Sequence, residues 1–161
     1  MDMRKKETKI VILGSADSGK TTTLETLLNR RNEKVTKIEC NGTTVSLDYG
    51  NTTINGKKIH IFGSPGQERF KFMREILSTN LNGAIIVIDN SIGVTDTDIQ
   101  IMDNLNTNNI PYVVFANKQD IAPGSLESEH IRSNIPVILT TAKEGTGIQE
   151  GLKVLLDLIS S

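Results

Sequence analysis

A single cysteine, Cys40, stands in the whole chain of 161 residues. One thiol makes no internal disulfide, so a disulfide-stapled scaffold is excluded. Charge of one sign is not in excess: the formal net charge is −1. That gives no support to a nucleic-acid or polyanion-binding surface. No apolar stretch is long enough for a signal peptide or a membrane helix. The start Met1–Lys9 carries Arg4, Lys5, Lys6 and Lys9 and reads as a solvated tail before the first strand. Position 2 is not Gly and no Cys lies near the C-terminus, so the common lipid-anchor motifs are missing. Internal repeats, low-complexity segments and linkers are absent as well. What remains is one domain over 1–161, large enough for a substantial core, expected in a reducing cytoplasm.

Short β-branched runs alternate with helix-like stretches along this domain. Residues 9–13 (KIVIL) read as a buried strand, and 20–30 as a helix opening after a Gly-rich turn. Residues 45–49 and 58–62 flank Asn55-Gly56, the strongest short hairpin signal, so this pair is expected to be antiparallel. The runs 84–89 (AIIVID) and 112–117 (YVVFAN) are continuously apolar, as central parallel strands are. Residues 136–140 (PVILT) make a shorter strand. Thr95 and Asp98 have capping-box spacing, with Ile99, Met102 and Leu105 at helical intervals after them. Thr146 and Gln149 form a second such pair, before the stripe Ile148, Leu152, Leu155, Leu156 and Ile159. The order β-α-β-β-α-β-α-β-α-β-α predicts a doubly wound α/β sandwich of three layers. Its sheet should have about six strands, mostly parallel with one antiparallel. Ligands in such sheets bind at the C-terminal ends of the strands.

Three motifs sit at those ends. The first, GSADSGKT (Gly14–Thr21), fits G-x-x-x-x-G-K-[ST] between a strand and a helix. Successive backbone N–H groups there form a nest for phosphates, and the helix N-terminus adds partial positive charge. The Lys20 ammonium is expected on the β- and γ-phosphates and the Thr21 hydroxyl on Mg²⁺. Gly14, Asp17, Ser18, Gly19 and Thr22 complete the expected phosphate-binding stretch. The second motif is NKQD, Asn117–Asp120. A carboxylate at Asp120 accepts two hydrogen bonds from the N1–H and exocyclic amine of guanine, a donor pair adenine lacks. Lys118 can lay its stem over the base and steady the phosphate loop, while Asn117 ties the two loops together. The third is TTAK, Thr140–Lys143. With Thr141 and Lys143 beside it, the Ala142 N–H is expected to donate to guanine O6.

With these motifs in order, the chain resembles a small GTPase of the Ras/Arf superfamily along nearly its whole length. The phrases TTVSLDYG, FGSPGQERFKFMREIL and GAIIVIDNS are closer still to a group of prokaryotic GTPases related to bacterial polarity GTPases, often linked with roadblock-type partner proteins. The resemblance implies a P-loop NTPase G domain that binds GTP or GDP with Mg²⁺ and switches between the two forms. It implies that Thr43 or Thr44 senses Mg²⁺ and the γ-phosphate; Thr44 is preferred, because the stretch from it to the next loop has Arf-like length. Gly66 would donate its amide to the γ-phosphate, and Gln67 would orient the attacking water. Protein partners would meet the switch loops.

One departure concerns the loop after residue 62. The superfamily has D-x-x-G there; this chain has Gly63, Ser64, Pro65 and Gly66. The acid that normally holds a Mg²⁺-bound water is replaced by glycine. Asp89, at the end of the next strand, reads either as a substitute carboxylate or as a turn residue. In the phosphate loop, Ala16 narrows the path for a partner's arginine, and the Asp17 side chain must point outward. No arginine finger is evident in cis, since Arg30 and Arg31 read as helix-end charges, so intrinsic hydrolysis is expected to be slow. Phe70, Phe72, Met73, Ile76 and Leu77 have two readings, core helix face or nucleotide-dependent partner surface. The rival classes are a GTP-binding scaffold without useful hydrolysis, which Gly63 favours, and a small-molecule kinase, which NKQD opposes.

Overall fold

The structure, a computed structural model, describes residues 7–28, 35–40, 43–63 and 81–160, with side chains at 7–28, 49–63 and 81–160. Arg30, Arg31, Ser64, Pro65, Gly66, Gln67 and the apolar residues from Phe70 to Leu77 lie outside the described residues, as do the side chains of Cys40, Thr43 and Thr44. The elements run β1 (Glu7–Gly14), α1 (Lys20–Leu28), β2 (Val35–Cys40), β3 (Thr43–Ile54), β4 (Lys57–Gly63), β5 (Gly83–Asp89), α2 (Asp96–Thr107), β6 (Tyr112–Asn117), β7 (Val137–Leu139), a 3₁₀ turn (Ala142–Glu144) and α3 (Ile148–Ser160).

The strands form a single sheet in the order β2-β3-β4-β1-β5-β6-β7. Only β3 runs against its neighbours, β2 and β4; the other pairs are parallel. Among the described residues the sheet has seven strands, close to the expected six or so and mostly parallel as expected. The additional one is β2, VTKIEC, where alternating β-branched and charged residues pair with the first half of a long β3. Asn55 and Gly56 both have positive φ, 51° and 77°. That is the backbone of a two-residue type I′ hairpin, whose twist matches the flanking strands.

Alternation along β1 builds the layers. Ile10 and Ile12 face one side with Ile59, Ile61, Val113 and Phe115, packed under Leu24 and Leu27 of α1 and Leu152 and Leu155 of α3. Val11 and Leu13 face the other side with Ile86, Ile88 and Val114, packed under Ile101, Met102 and Leu105 of α2. Each of these fully buried side chains contributes roughly 1.5–3 kcal/mol of transfer free energy. The capping box at α2 is formed: the Thr95 side chain accepts from Asp98 N, and the Asp98 side chain accepts from Thr95 N.

Two sequence expectations fail here. The helix expected between β6 and β7 is not formed; residues 118–136 are turns and extended chain. Pro123 and Gly124 interrupt it, and Leu126, Ile131 and Ile135 cover the sheet singly from an irregular segment. The second cap pair is not formed either. Helix α3 begins at Ile148, one residue too far from Thr146 for the spacing, and the Gln149 amide donates to the Thr26 carbonyl at 3.4 Å instead.

Candidate nucleotide-binding site

The site collects at the C-terminal ends of β1, β5 and β6. The phosphate loop leaves β1 through Gly14, with φ 148°, and enters α1 through Gly19, with φ 111°. A Cβ at Gly19 would stand 2.3 Å from Asn117 Nδ2, so glycine here serves both conformation and close approach. Asp17 takes a left-handed backbone, φ 62°, and its side chain is exposed. Lys20 Nζ donates to the carbonyls of Gly14 (2.8 Å) and Ser15 (3.0 Å), which holds the ammonium across the mouth of the loop. Gly14 and Ser18 contribute through their backbones. The Ser18 side chain is buried, and its carbonyl accepts from Asn117.

Asn117, itself buried, joins all three motifs. Its Nδ2 donates to Ser18 O at 2.9 Å; its Oδ1 accepts from Thr140 Oγ1 at 3.1 Å and from the Ala142 N–H at 2.9 Å. The Ala142 amide, expected to face guanine O6, is thus spent on Asn117 in this structure. Its hydrogen bond locks the TTAK loop to the NKQD strand end. Lys118 has φ 68°, and its Nζ donates to Asp17 O at 2.8 Å and Asp89 Oδ2 at 2.9 Å. The expected steadying of the phosphate loop is formed through this carbonyl.

Asp89 is a turn residue that also orients Lys118. Its Oδ1 accepts from Ser91 N at 2.9 Å and from Ser91 Oγ. Burial, the largest single influence, pushes its carboxyl up. The hydrogen bonds from Ser91 and Lys118 together outweigh that and leave it below the usual carboxylate range. Asp120 pairs with Lys143 at 2.8 Å. The hydrogen bond from Lys143 holds the Asp120 carboxyl below its ordinary value, and the same contact raises Lys143. Asp120 therefore remains an ionised, acceptor-only group at neutral pH.

Two concavities meet across these loops. One, of about 260 Å³, is lined by Asn117, Lys118, Asp120, Ile121, Ala142 and Lys143, with Gly19, Thr22 and Thr141 at its inner side. The other, of about 600 Å³, is lined by Ala16, Asp17, Lys20 and Thr21 and shares Gly19, Thr22 and Lys118 with the first. A base-sized cavity next to a cation-flanked loop is the shape of a nucleotide site. Ile121 was not singled out from the sequence. It is two-thirds exposed beside Asp120, an apolar wall with no periodic partner to announce it. Among the described residues, no cluster of three or more His, Cys, Asp or Glu side chains could hold a metal alone. A cation beside Thr21 would need phosphate oxygens and water for its remaining ligands, the coordination Mg²⁺ prefers.

A seven-stranded α/β sandwich with a phosphate loop and these two base-side loops defines a P-loop GTPase G domain. The chain matches the Elongation factor Tu GTP binding domain family over residues 5–161 and belongs to that family. An uncharacterized protein of Methanocaldococcus jannaschii is 44% identical over 129 residues, covering 80% of each chain. Translation initiation factor IF-2 of Geobacillus thermodenitrificans is 32% identical over 119 residues. That match covers 74% of this chain but only 16% of the factor. Among solved structures, the G domain of the T. maritima FeoB iron transporter has a TM-score of 0.71 at 19% identity, covering 96% of this chain and 99% of that one. The apo cytosolic domain of the same transporter has a TM-score of 0.77 at 19% identity, covering 96% of this chain and 65% of that one. These structures share the fold. No helix among the described residues is long and apolar enough to cross a membrane.

Proposed function

We propose that the protein is a GTP/GDP switch with slow intrinsic hydrolysis of GTP to GDP and phosphate. The observation that carries the guanine reading is Asn117, whose single amide ties the phosphate loop, the NKQD strand end and the TTAK loop into one frame around Asp120. The base would lie in the cavity between Lys118 and Lys143, with Asp120 accepting from its N1–H and amine. The phosphates would lie over the loop from Gly14 to Thr22, with Lys20 on the β- and γ-oxygens. Thr21 and Thr44 would hold Mg²⁺, which supplies charge neutralisation on those oxygens. Gly66 would donate its amide to the γ-phosphate, and Gln67 would hold the attacking water in line. Lys20 and the loop amides stabilise the charge that develops. Slow hydrolysis is the expectation for a chain whose sequence offers no evident arginine finger in cis.

Within the GTPases, the phrases TTVSLDYG, FGSPGQERFKFMREIL and GAIIVIDNS support placement near the Ras/Arf superfamily and its polarity-GTPase relatives. On that reading the protein works in the cytoplasm, and its switch loops take a roadblock-type partner. Gly63 favours the second reading, a GTP-binding scaffold. Single-turnover phosphate release, with and without Mg²⁺, separates the two. A switch releases phosphate slowly in a Mg²⁺-dependent way; no release over hours with bound GTP would leave the scaffold. Competition between GTP and ATP tests the base: equal displacement would remove the guanine assignment.

A further inference from the structure

The phosphate loop is fastened to the cap of α2 through one hydroxyl that nucleotide recognition does not use. Ser15 Oγ lies 2.8 Å from Thr95 Oγ1 and 3.3 Å from Asp98 Oδ1. Asp98 is 1% exposed. Within the capping box, Thr95 N donates to Asp98 Oδ2 at 3.0 Å and Asp98 N donates to Thr95 Oγ1 at 3.2 Å. A carboxylate only accepts, so the Ser15 hydroxyl is the donor to Asp98. The Thr95 hydroxyl then donates to Ser15 Oγ. With this assignment every donor in the ring has one acceptor, and a buried carboxylate is held by groups from two elements 80 residues apart in sequence. A capping box closes with Thr95 and Asp98 alone. Ser15 is an addition to it. The same residue's carbonyl accepts from the phosphate-binding Lys20.

We infer that Ser15 is a positioning residue that couples phosphate occupancy to the N-terminal turn of α2. The inference rests on the nucleotide-site reading above. When phosphates draw Lys20 and the loop into place, Ser15 moves with the loop backbone, and its hydroxyl transmits the fixation to Thr95 and Asp98. The α2 cap thereby becomes a second surface, separate from the switch loops, that differs with occupancy. A buried hydrogen bond to a charged group is strong enough for such coupling, and losing it leaves an unpartnered carboxylate oxygen.

Hydrogen exchange with and without GDP, on the full chain and on Ser15→Ala, Thr95→Ser and Asp98→Asn, tests this. In the wild type and in Thr95→Ser, which keeps the hydroxyl, GDP should add protection at the amides of residues 95–99. Ser15→Ala and Asp98→Asn should lose that increment, and Ser15→Ala should release nucleotide about ten-fold faster. A purely structural Ser15 would lower cap protection equally with and without GDP, and that result overturns the coupling. Wild-type release and wild-type protection in Ser15→Ala overturn it too. Loop protection by ADP in place of GDP would sink the guanine reading, with the coupling then read using ADP. Loop protection without cap protection overturns the coupling whichever nucleotide produces it.

Discussion

On the proposed reading, base selectivity rests on Asp120. Its carboxyl is held ionised by Lys143, and two hydrogen bonds from guanine to an ionised acceptor are worth far more than two neutral ones. Asp120→Ala should weaken GTP and GDP binding roughly a hundred-fold or more, while any weak ATP binding stays unchanged. Equal losses in a competition assay would mean that Asp120 is structural. The pH dependence follows from the direction of its shift. A group whose folded pKa is depressed keeps its ionised form as pH falls past the ordinary carboxylate range and loses it only in more acid solution. GDP affinity should therefore hold steady through mildly acid pH. In Lys143→Ala the fall should begin at higher pH, because the contact that depresses Asp120 is gone. Superimposable pH profiles for the two proteins would contradict the assignment of that shift to Lys143.

At the scale of elements, packing behind the site is tight enough to be tested with one methyl group. Gly151 lies in α3, and a Cβ there would meet the buried Phe115 ring at 2.3 Å from Cε1 and 2.5 Å from Cζ. Replacing a helical glycine by alanine gains about 1 kcal/mol of helix propensity. Overpacking a filled core costs about 1–3 kcal/mol, and the ring has sheet on one side and helix on the other. Gly151→Ala should lower the urea midpoint, with a modest loss of nucleotide affinity because Phe115 precedes Asn117 on the same strand. An unchanged or raised midpoint would show that the ring moves freely. The sequence reading succeeded where local chemistry is dense. Asn55-Gly56 can hardly be other than a hairpin, Thr95 and Asp98 a cap, and Gly14–Thr21 a phosphate loop. It failed where the signal is one of spacing alone. Thr146 and Gln149 match a cap pattern, yet the helix starts one residue late for it. The alternation rule inserted a helix before β7 that Pro123 and Gly124 prevent. It also left out β2, whose charged alternation is weak evidence for an edge strand. Within the site, the sequence picked out the three motifs that Asn117 joins, because each is a short local pattern at a strand end. The bond of Ser15 to Asp98 was not legible, since contacts between distant elements leave no periodicity in the chain.

For the molecule as a whole, nucleotide and Mg²⁺ should appear as stability, because whatever binds only the folded chain raises its unfolding free energy by mass action. Gly63 is where that linkage can be altered. It ends β4 within the ladder, paired with Ile12 on β1 and Asp48 on β3. Extended backbone of this kind carries no left-handed penalty for aspartate, so Gly63→Asp can be made without strain of that sort. Two opposing effects follow. One is a loss of stability, because the new carboxylate would enter the sheet at a position paired with a strand on both sides. Gly63 is also buried, which adds a desolvation cost. Without nucleotide, the variant should unfold at lower temperature than the wild type. With GDP and rising Mg²⁺, the carboxylate should accept a hydrogen bond from the metal's water shell. The variant's melting temperature should then climb at lower Mg²⁺ than the wild type's and close the gap. The crossing pattern is the signature, since destabilisation alone would shift both curves in parallel. A Gly63→Asp protein that melts lower throughout, with a Mg²⁺ titration superimposable on the wild type's, would show that position 63 has no part in metal retention in this chain. The loss of the acid from the D-x-x-G position would then be offset by an arrangement elsewhere in the switch loops.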